Sequence, residues 1–323
     1  MIKRLTYIDV AKGILILLVI FDHLPDVYLY VLGNKNDFLE FLNDTQWIYK
    51  LFFMPAFFVI TGMCSNFNKP FASFFISNFK TLIIPNFLIG VLLPPTRILS
   101  KVIEGVFYGG GFWFLSALFV SKMIYWLLNK YCDSKKVLRL TILMILAALG
   151  LFLNLMPQKY DLWYFHYAFS LSVFLEIGKI IKANWKDSHA IVASLIYVMA
   201  CIYLSISDIH KPVVALGATA QITELPIYLL LAICGTYLIL GVSKYIDANS
   251  LLQFFGRESL VFYIFQIYVL IKIESFYLHF FEVSSRKEVL LFIFTVFFLA
   301  IFVLSLISFI LNKRYFCILK GKF

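Results

Sequence analysis

The chain has 323 residues, of which 62% are hydrophobic, 19% aromatic and only 14% charged, with a mean hydropathy of +0.90. One soluble core cannot hide that much apolar surface, so the composition excludes a water-soluble globular protein and points to an integral membrane protein. The formal charge of +10 then reports topology rather than a nucleic-acid partner, and the 36 Phe and 19 Tyr serve as bulk between helices and as interfacial anchors.

About 20 helical residues cross a hydrocarbon core of about 30 Å. On that ruler the sequence predicts an all-α membrane protein with ten transmembrane helices in one bundle, near 7–28, 47–67, 80–99, 112–130, 138–157, 162–182, 189–207, 223–243, 257–278 and 288–312. Lys3 and Arg4 give the start a signal-peptide look, but the apolar run that follows is long, polar-striped and without a small-residue cleavage site, so it is expected to stay as the first span. Pro94, Pro95 and Arg97 interrupt the third span; Glu224 and Pro226 open the eighth. No connecting loop is long enough for a second domain, and residues 1–323 are expected to form a single transmembrane domain.

Ten spans leave both termini on one side. That side carries roughly twice the Lys and Arg of the other, including Lys69, Lys80, Lys130, Arg139, Lys179, Lys244 and Arg257, so both termini are expected to be cytoplasmic. The loop from Pro25 to Gln46, with Asp26, Asp37, Glu40 and Asp44, is then an acidic external segment. The five cysteines are scattered without C-x-x-C spacing, and neither a metal site nor a disulfide framework is expected.

The first span, from Ile8 to His23, carries Asp9, Lys12, Asp22 and His23. At about 100° per residue, Lys12 and His23 return to within roughly 20° of each other and Asp9 lies about 40° from His23, so three polar groups share one stripe. Ionisable side chains in a bilayer need protein or water to face, and the stripe is expected to line a cavity. His23 suits a general base for a hydroxyl, because an imidazole exchanges protons near neutral pH; a hydrogen bond to a neighbouring helix is the plainer alternative. Asp22 points about 100° away, and a structural pair with a basic residue of another helix is preferred for it. Asp9 and Lys12 suit either a helix-start salt bridge that snorkels to the headgroups or a cation for the phosphates of an anionic donor.

In the second span Pro55 is expected to kink the helix. Gly109, Gly110 and Gly111 precede Trp113 and read as an external turn in preference to a close approach to a ligand; they lack the context of a phosphate loop. The sixth span carries His166, Ser170, Ser172 and Glu176, the last being a charge partner for Lys12 or Lys80 or else half of a structural pair. In the ninth, Ser259, Tyr263 and Gln266 share a face with Arg257 at the cytoplasmic mouth, and this second stripe could oppose the first.

These segments, in this order, resemble the membrane acyltransferase 3 family of bacterial polytopic O-acyltransferases. Asp9, Ala11, Lys12, Gly13 and His23 resemble its opening helix. Met54, Pro55, Phe57, Phe58 and Gly62 resemble its "MP-x-FF…SG" segment, with Thr61 at the serine position. Trp113, Phe114 and Leu115 resemble "WFL", and Gly256, Arg257, Ser259, Leu260 and Tyr263 resemble "G-[RK]-x-S-L-x-x-Y". The short opening and the lack of an appended soluble domain look most like the branch of fucose-type sugar acetylases. Three positions depart from the pattern: Phe53 and Gln266 stand where many relatives have histidine, and Asp22 where glycine is common.

The resemblance implies transfer of an acyl group, usually acetyl, from cytoplasmic acyl-CoA to a hydroxyl of a cell-envelope or capsular polysaccharide, or of its lipid-linked precursor, in the bacterial plasma membrane. His23 would be the catalytic histidine, with Asp9 and Lys12 beside it. Lys12, Lys80 and Arg257 would hold the phosphates of acetyl-CoA, and Trp113, Glu176, Ser259, Tyr263 and Gln266 would contact the acceptor. The expected partners are a surface glycan or lipid-linked sugar and the bilayer, with no nucleic acid and no metal. A transporter or flippase for a lipid-linked sugar would use the same cavity without a covalent step, but it is expected to show internal repeats, and none is visible.

Overall fold

The computed structural model describes residues 5–32, 44–90, 105, 108–132, 135–155, 162–207, 225–283 and 285–312. These are helical, with no strand among them. Pro94, Pro95, Arg97, Glu224, both basic chain ends, Cys317, and Asp37 and Glu40 of the acidic loop lie outside the described residues.

Each expected span is met by a helix or a pair of helices, with shifted ends. In chain order the helices are α1 (Thr6–Leu32), α2 (Trp47–Lys50), α3 (Phe53–Cys64), α4 (Phe71–Asn78), α5 (Ile84–Gly90), α6 (Trp113–Tyr131), α7 (Lys136–Leu155), α8 (Phe165–Ala183), α9 (Asp187–Ile206), α10 (Leu225–Tyr245), α11 (Ser250–Arg257), α12 (Ser259–Phe280) and α13 (Arg286–Leu311). Among the described residues seven stretches are long and apolar enough to cross a membrane: Trp47–Cys64, Phe71–Gly90, Lys136–Asn154, Asp187–Ile206, Leu225–Tyr245, Ser259–Phe280 and Arg286–Leu311.

The long helices that this measure leaves out, α1, α6 and α8, are the polar ones, and packing explains why. α1 lies against α3, α10, α11 and α12, while α8 lies against α3, α6 and α7. A helix surrounded by protein can carry Asp9, Lys12 or Glu176, whereas α7, α9 and α13 turn rows of aliphatic and aromatic side chains outward, as lipid requires.

Two local breaks have identifiable causes. The second span does not kink at Pro55 as expected. Instead the helix stops after Lys50, Phe52 caps a new one, and Pro55 sits in the first turn of α3, where a missing N–H costs nothing. The third span begins at Phe71, nine residues earlier than expected, and passes through a π turn, Phe79–Ile83, between α4 and α5. Pro85 has no N–H to return to the carbonyl of Thr81, which favours a wider turn just ahead of it.

Glycines set the closest crossings. A Cβ on Gly256 would overlap the carbonyl of Asp9, so α11 lies directly on the start of α1. Gly62 and Gly178 do the same for α3 and α8, against the carbonyls of Leu175 and Val59. Close backbone approach of this kind takes the place of the hydrophobic drive that lipid cannot supply. At the junction of α11 and α12, Glu258 Oε2 accepts a hydrogen bond of 2.7 Å from Ser308 Oγ, which ties α13 to the same corner.

Candidate functional site

Four segments far apart in sequence meet around one cavity of about 230 Å³. Lys12 and Ile16 enter it from α1; Met54, Phe57 and Thr61 from α3; Phe114 and Leu115 from α6; Ser259, Leu260 and Tyr263 from α12. Thr81 and Leu82 of the π turn close another wall. Each of the four motif-like segments therefore contributes side chains to the same space. The walls are aromatic, with Phe114 edge-on to Phe57 at 5.7 Å and tilted against Tyr263 at 5.3 Å. The polar groups are few: one ammonium and the hydroxyls of Thr61, Thr81, Ser259 and Tyr263. An apolar pocket with a handful of convergent polar groups is the usual form of a small-molecule site.

The remaining expected residues do not line this space. Asp9 is buried one turn before Lys12, at the contact with Gly256. Lys80 is exposed on the π turn beside Thr81, and Arg257 is exposed at the end of α11. Trp113 opens α6 and packs on Tyr167, with ring centres 5.1 Å apart. His23 lies eleven residues beyond Lys12, about 16 Å of helix rise, and is half-buried. Its neighbour Asp22 makes the expected structural pair, with Lys50 Nζ 3.4 Å from Oδ1, while Gln46 Nε2 donates to the Asp22 carbonyl at 2.8 Å.

Glu176 takes the structural option and pairs with neither Lys12 nor Lys80. Arg139 donates to both of its oxygens, from Nε at 2.9 Å and Nη2 at 2.8 Å, and Tyr125 Oη donates to Oε2 as well. Arg139, expected at the cytoplasmic end of the fifth span, is buried in the first turn of α7.

Gly109, Gly110 and Gly111 form a turn, as preferred. Gly109 and Gly110 have φ of 98° and 92°, conformations open to glycine. They are packed against protein, with Trp163 and Asn86 each within 3 Å of where a Cβ would lie. Asn86 is fully buried, donates to the carbonyls of Gly109 and Phe112 and to Ser116 Oγ, and accepts from the Phe112 N–H. That knot fixes the start of α6, and with it Phe114.

Two buried groups on α12 stand out. Gln266, on the face of Ser259 and Tyr263, leaves Oε1 without a hydrogen bond among the described residues, and Glu274, two turns further on, leaves both carboxylate oxygens so. Sequence reading singled out Gln266 but passed over Glu274, although an acidic residue inside an otherwise apolar span is the signal that marks such sites. Lys122, inside α6, was missed on the same ground.

A larger open groove of about 740 Å³ runs between α9 and α10 beside Tyr7. Its walls are mainly aliphatic, its cation Lys244 is paired with Asp187 at 3.5 Å, and the four motif-like segments do not reach it. Chemistry favours the smaller cavity over the larger groove. Among the described residues no group of three His, Cys, Asp or Glu side chains is disposed to hold a metal ion.

Compared with known families, the chain matches the profile of an acyltransferase domain over residues 5–311. No curated protein and no solved structure matches it.

Proposed function

We propose, for a chain that belongs to the acyltransferase 3 family and is a multi-pass membrane protein, that the reaction is O-acetylation of a cell-envelope or capsular sugar at the expense of cytoplasmic acetyl-CoA. In this reading ten helices cross the bacterial plasma membrane and both termini are cytoplasmic. The observation that carries it is the meeting of the four motif-like segments around one cavity that holds Lys12.

The donor enters from the end of the bundle where α1 begins. Its phosphates stay near Lys12, with Lys80 and Arg257 around the mouth, and its long arm runs between the aromatic walls toward His23. There the imidazole takes the proton of the sugar hydroxyl as the oxygen attacks the thioester carbonyl. The C–O bond forms, the C–S bond breaks, and the departing sulfur takes the proton back from the imidazolium. Transfer through an acyl-imidazole on His23 is the covalent variant of the same step. Trp113 and the aromatic side chains around it shape the acceptor end, and Gln266 and Glu274 offer the acceptor polar atoms that make no hydrogen bond among the described residues.

The test is transfer of label from radiolabelled acetyl-CoA to crude envelope glycan by protein in liposomes, wild type beside His23→Ala. Label in the glycan with wild type alone supports the reading. Equal transfer by a folded His23→Ala protein removes the assignment of the base, and no transfer or hydrolysis by folded wild type turns the reading toward transport.

A further inference from the structure

Most cations at the α1 end of the bundle are engaged. Arg139 is held by Glu176, Lys179 Nζ donates to Asn129 Oδ1 at 2.8 Å, and Lys182 Nζ donates to the Met63 carbonyl at 2.7 Å. Three lysines differ. Lys122, half-buried in α6, has both Lys12 and Lys69 within electrostatic reach of its ammonium, and among the described residues none of the three makes an ion pair with a carboxylate. Lys122 sits over the ring of Phe74 at 5.7 Å. The loop that carries Lys69 is pinned to α6: Trp126 Nε1, one turn from Lys122, donates to the Lys69 carbonyl at 2.9 Å, and Asn129 Nδ2 donates to Asn68 Oδ1 at 3.0 Å.

Like charges gathered on a rigid frame repel one another, and that cost is offset only when an anion joins them. Lys12 is also a wall of the cavity, and Leu118, one turn before Lys122 on α6, is another, so the anion would sit beside the cavity. We propose that Lys12, Lys69 and Lys122 form a three-lysine clamp for the phosphates of a soluble nucleotide carrier, with Lys122 as its half-buried member on α6. The clamp rests on the acyl-CoA reading above for the identity of the carrier.

The experiment uses the full-length protein in phosphatidylcholine nanodiscs and two readouts that need no acceptor sugar. The first is equilibrium binding of radiolabelled coenzyme A. The second is the rate at which a maleimide labels Cys64, an exposed thiol within electrostatic reach of Lys122. Lys122→Gln and Lys69→Gln are each expected to weaken coenzyme A binding about tenfold or more, the loss of one charge-assisted contact, with melting temperature unchanged. Lys122→Arg is expected to restore most of the affinity, which a merely structural lysine would not require. Bound coenzyme A should slow labelling of Cys64 in wild type and fail to do so in Lys122→Gln. Unchanged affinity in both glutamine variants overturns the clamp and leaves acyl transfer standing. Protection of Cys64 by inorganic pyrophosphate, with coenzyme A no better, keeps the phosphate clamp and removes the acyl-CoA reading. Protection that appears only when phosphatidylglycerol is added assigns the lysines to lipid headgroups and overturns the clamp.

Discussion

Arg139 and Glu176 face each other across α7 and α8 as a two-pronged ion pair with both side chains 4% exposed. A buried pair adds little over well-packed apolar residues, but breaking one half leaves a charge with no answer. Glu176→Leu or Arg139→Met alone is expected to cost about 3–5 kcal/mol of stability, and the double variant to recover most of it. Thermal unfolding in detergent reads this directly; single variants as stable as wild type would contradict it.

The contact of Gly256 with the carbonyl of Asp9 sets the seat of α1, and so the position of Lys12. Gly256→Ala forces the helices apart and is expected to destabilise by about 1–3 kcal/mol, the usual range for overpacking, with a matching loss of donor binding. Gly241→Ala is the control, since its Cβ would meet only the Cβ of Ala190 at 3.3 Å. Equal melting temperatures for the two variants would show that α1 and α11 are not in intimate contact.

Asn86 holds the turn ahead of α6 by four hydrogen bonds. Asn86→Leu strands buried backbone groups at about 1–3 kcal/mol each, so the protein should express poorly or melt early. Gly110→Ala should act in the same direction through the same contact, and protease sensitivity around residue 110 is the measurement to make.

Glu274 separates stability from activity. A buried carboxyl with no hydrogen bond among the described residues costs stability, so Glu274→Leu is expected to melt at the wild-type temperature or above it while losing acyl transfer. Such a trade is typical of functional groups held in unfavourable surroundings. A variant of normal activity would return Glu274 to the category of tolerated polar residues.

Much of this molecule was legible before its coordinates. The helices follow from apolar length, and the place of Lys12 on the cavity from helical periodicity, but Asp9 meets α11 and neither Asp9 nor His23 lines that cavity. Hydropathy alone would have lost α1, α6 and α8, because helices enclosed by others exchange apolar residues for charge. The order of the motif-like segments could be read, but their meeting around Lys12 required the fold. The partner of Glu176 was not legible, since Arg139 is 37 residues away at the basic end of another span, where it reads as a marker of the cytoplasmic side. Lys122 and Glu274 are single ionisable residues in apolar runs, and only the absence, among the described residues, of a carboxylate beside one and of any hydrogen bond to the other makes them conspicuous. At Pro55 the sequence identified the disturbance but misplaced it, because a proline is as well accommodated by a new helix start as by a kink.

The measurement that bears most directly on the central claim is sidedness. Proteoliposomes with an envelope glycan trapped inside receive radiolabelled acetyl-CoA outside, and the orientation of the protein is fixed by protease accessibility of its termini. The account predicts label in the trapped glycan when the termini face the donor, and none with Lys12→Ala or His23→Ala. Label that appears only when donor and acceptor share one compartment would contradict transfer through the bundle.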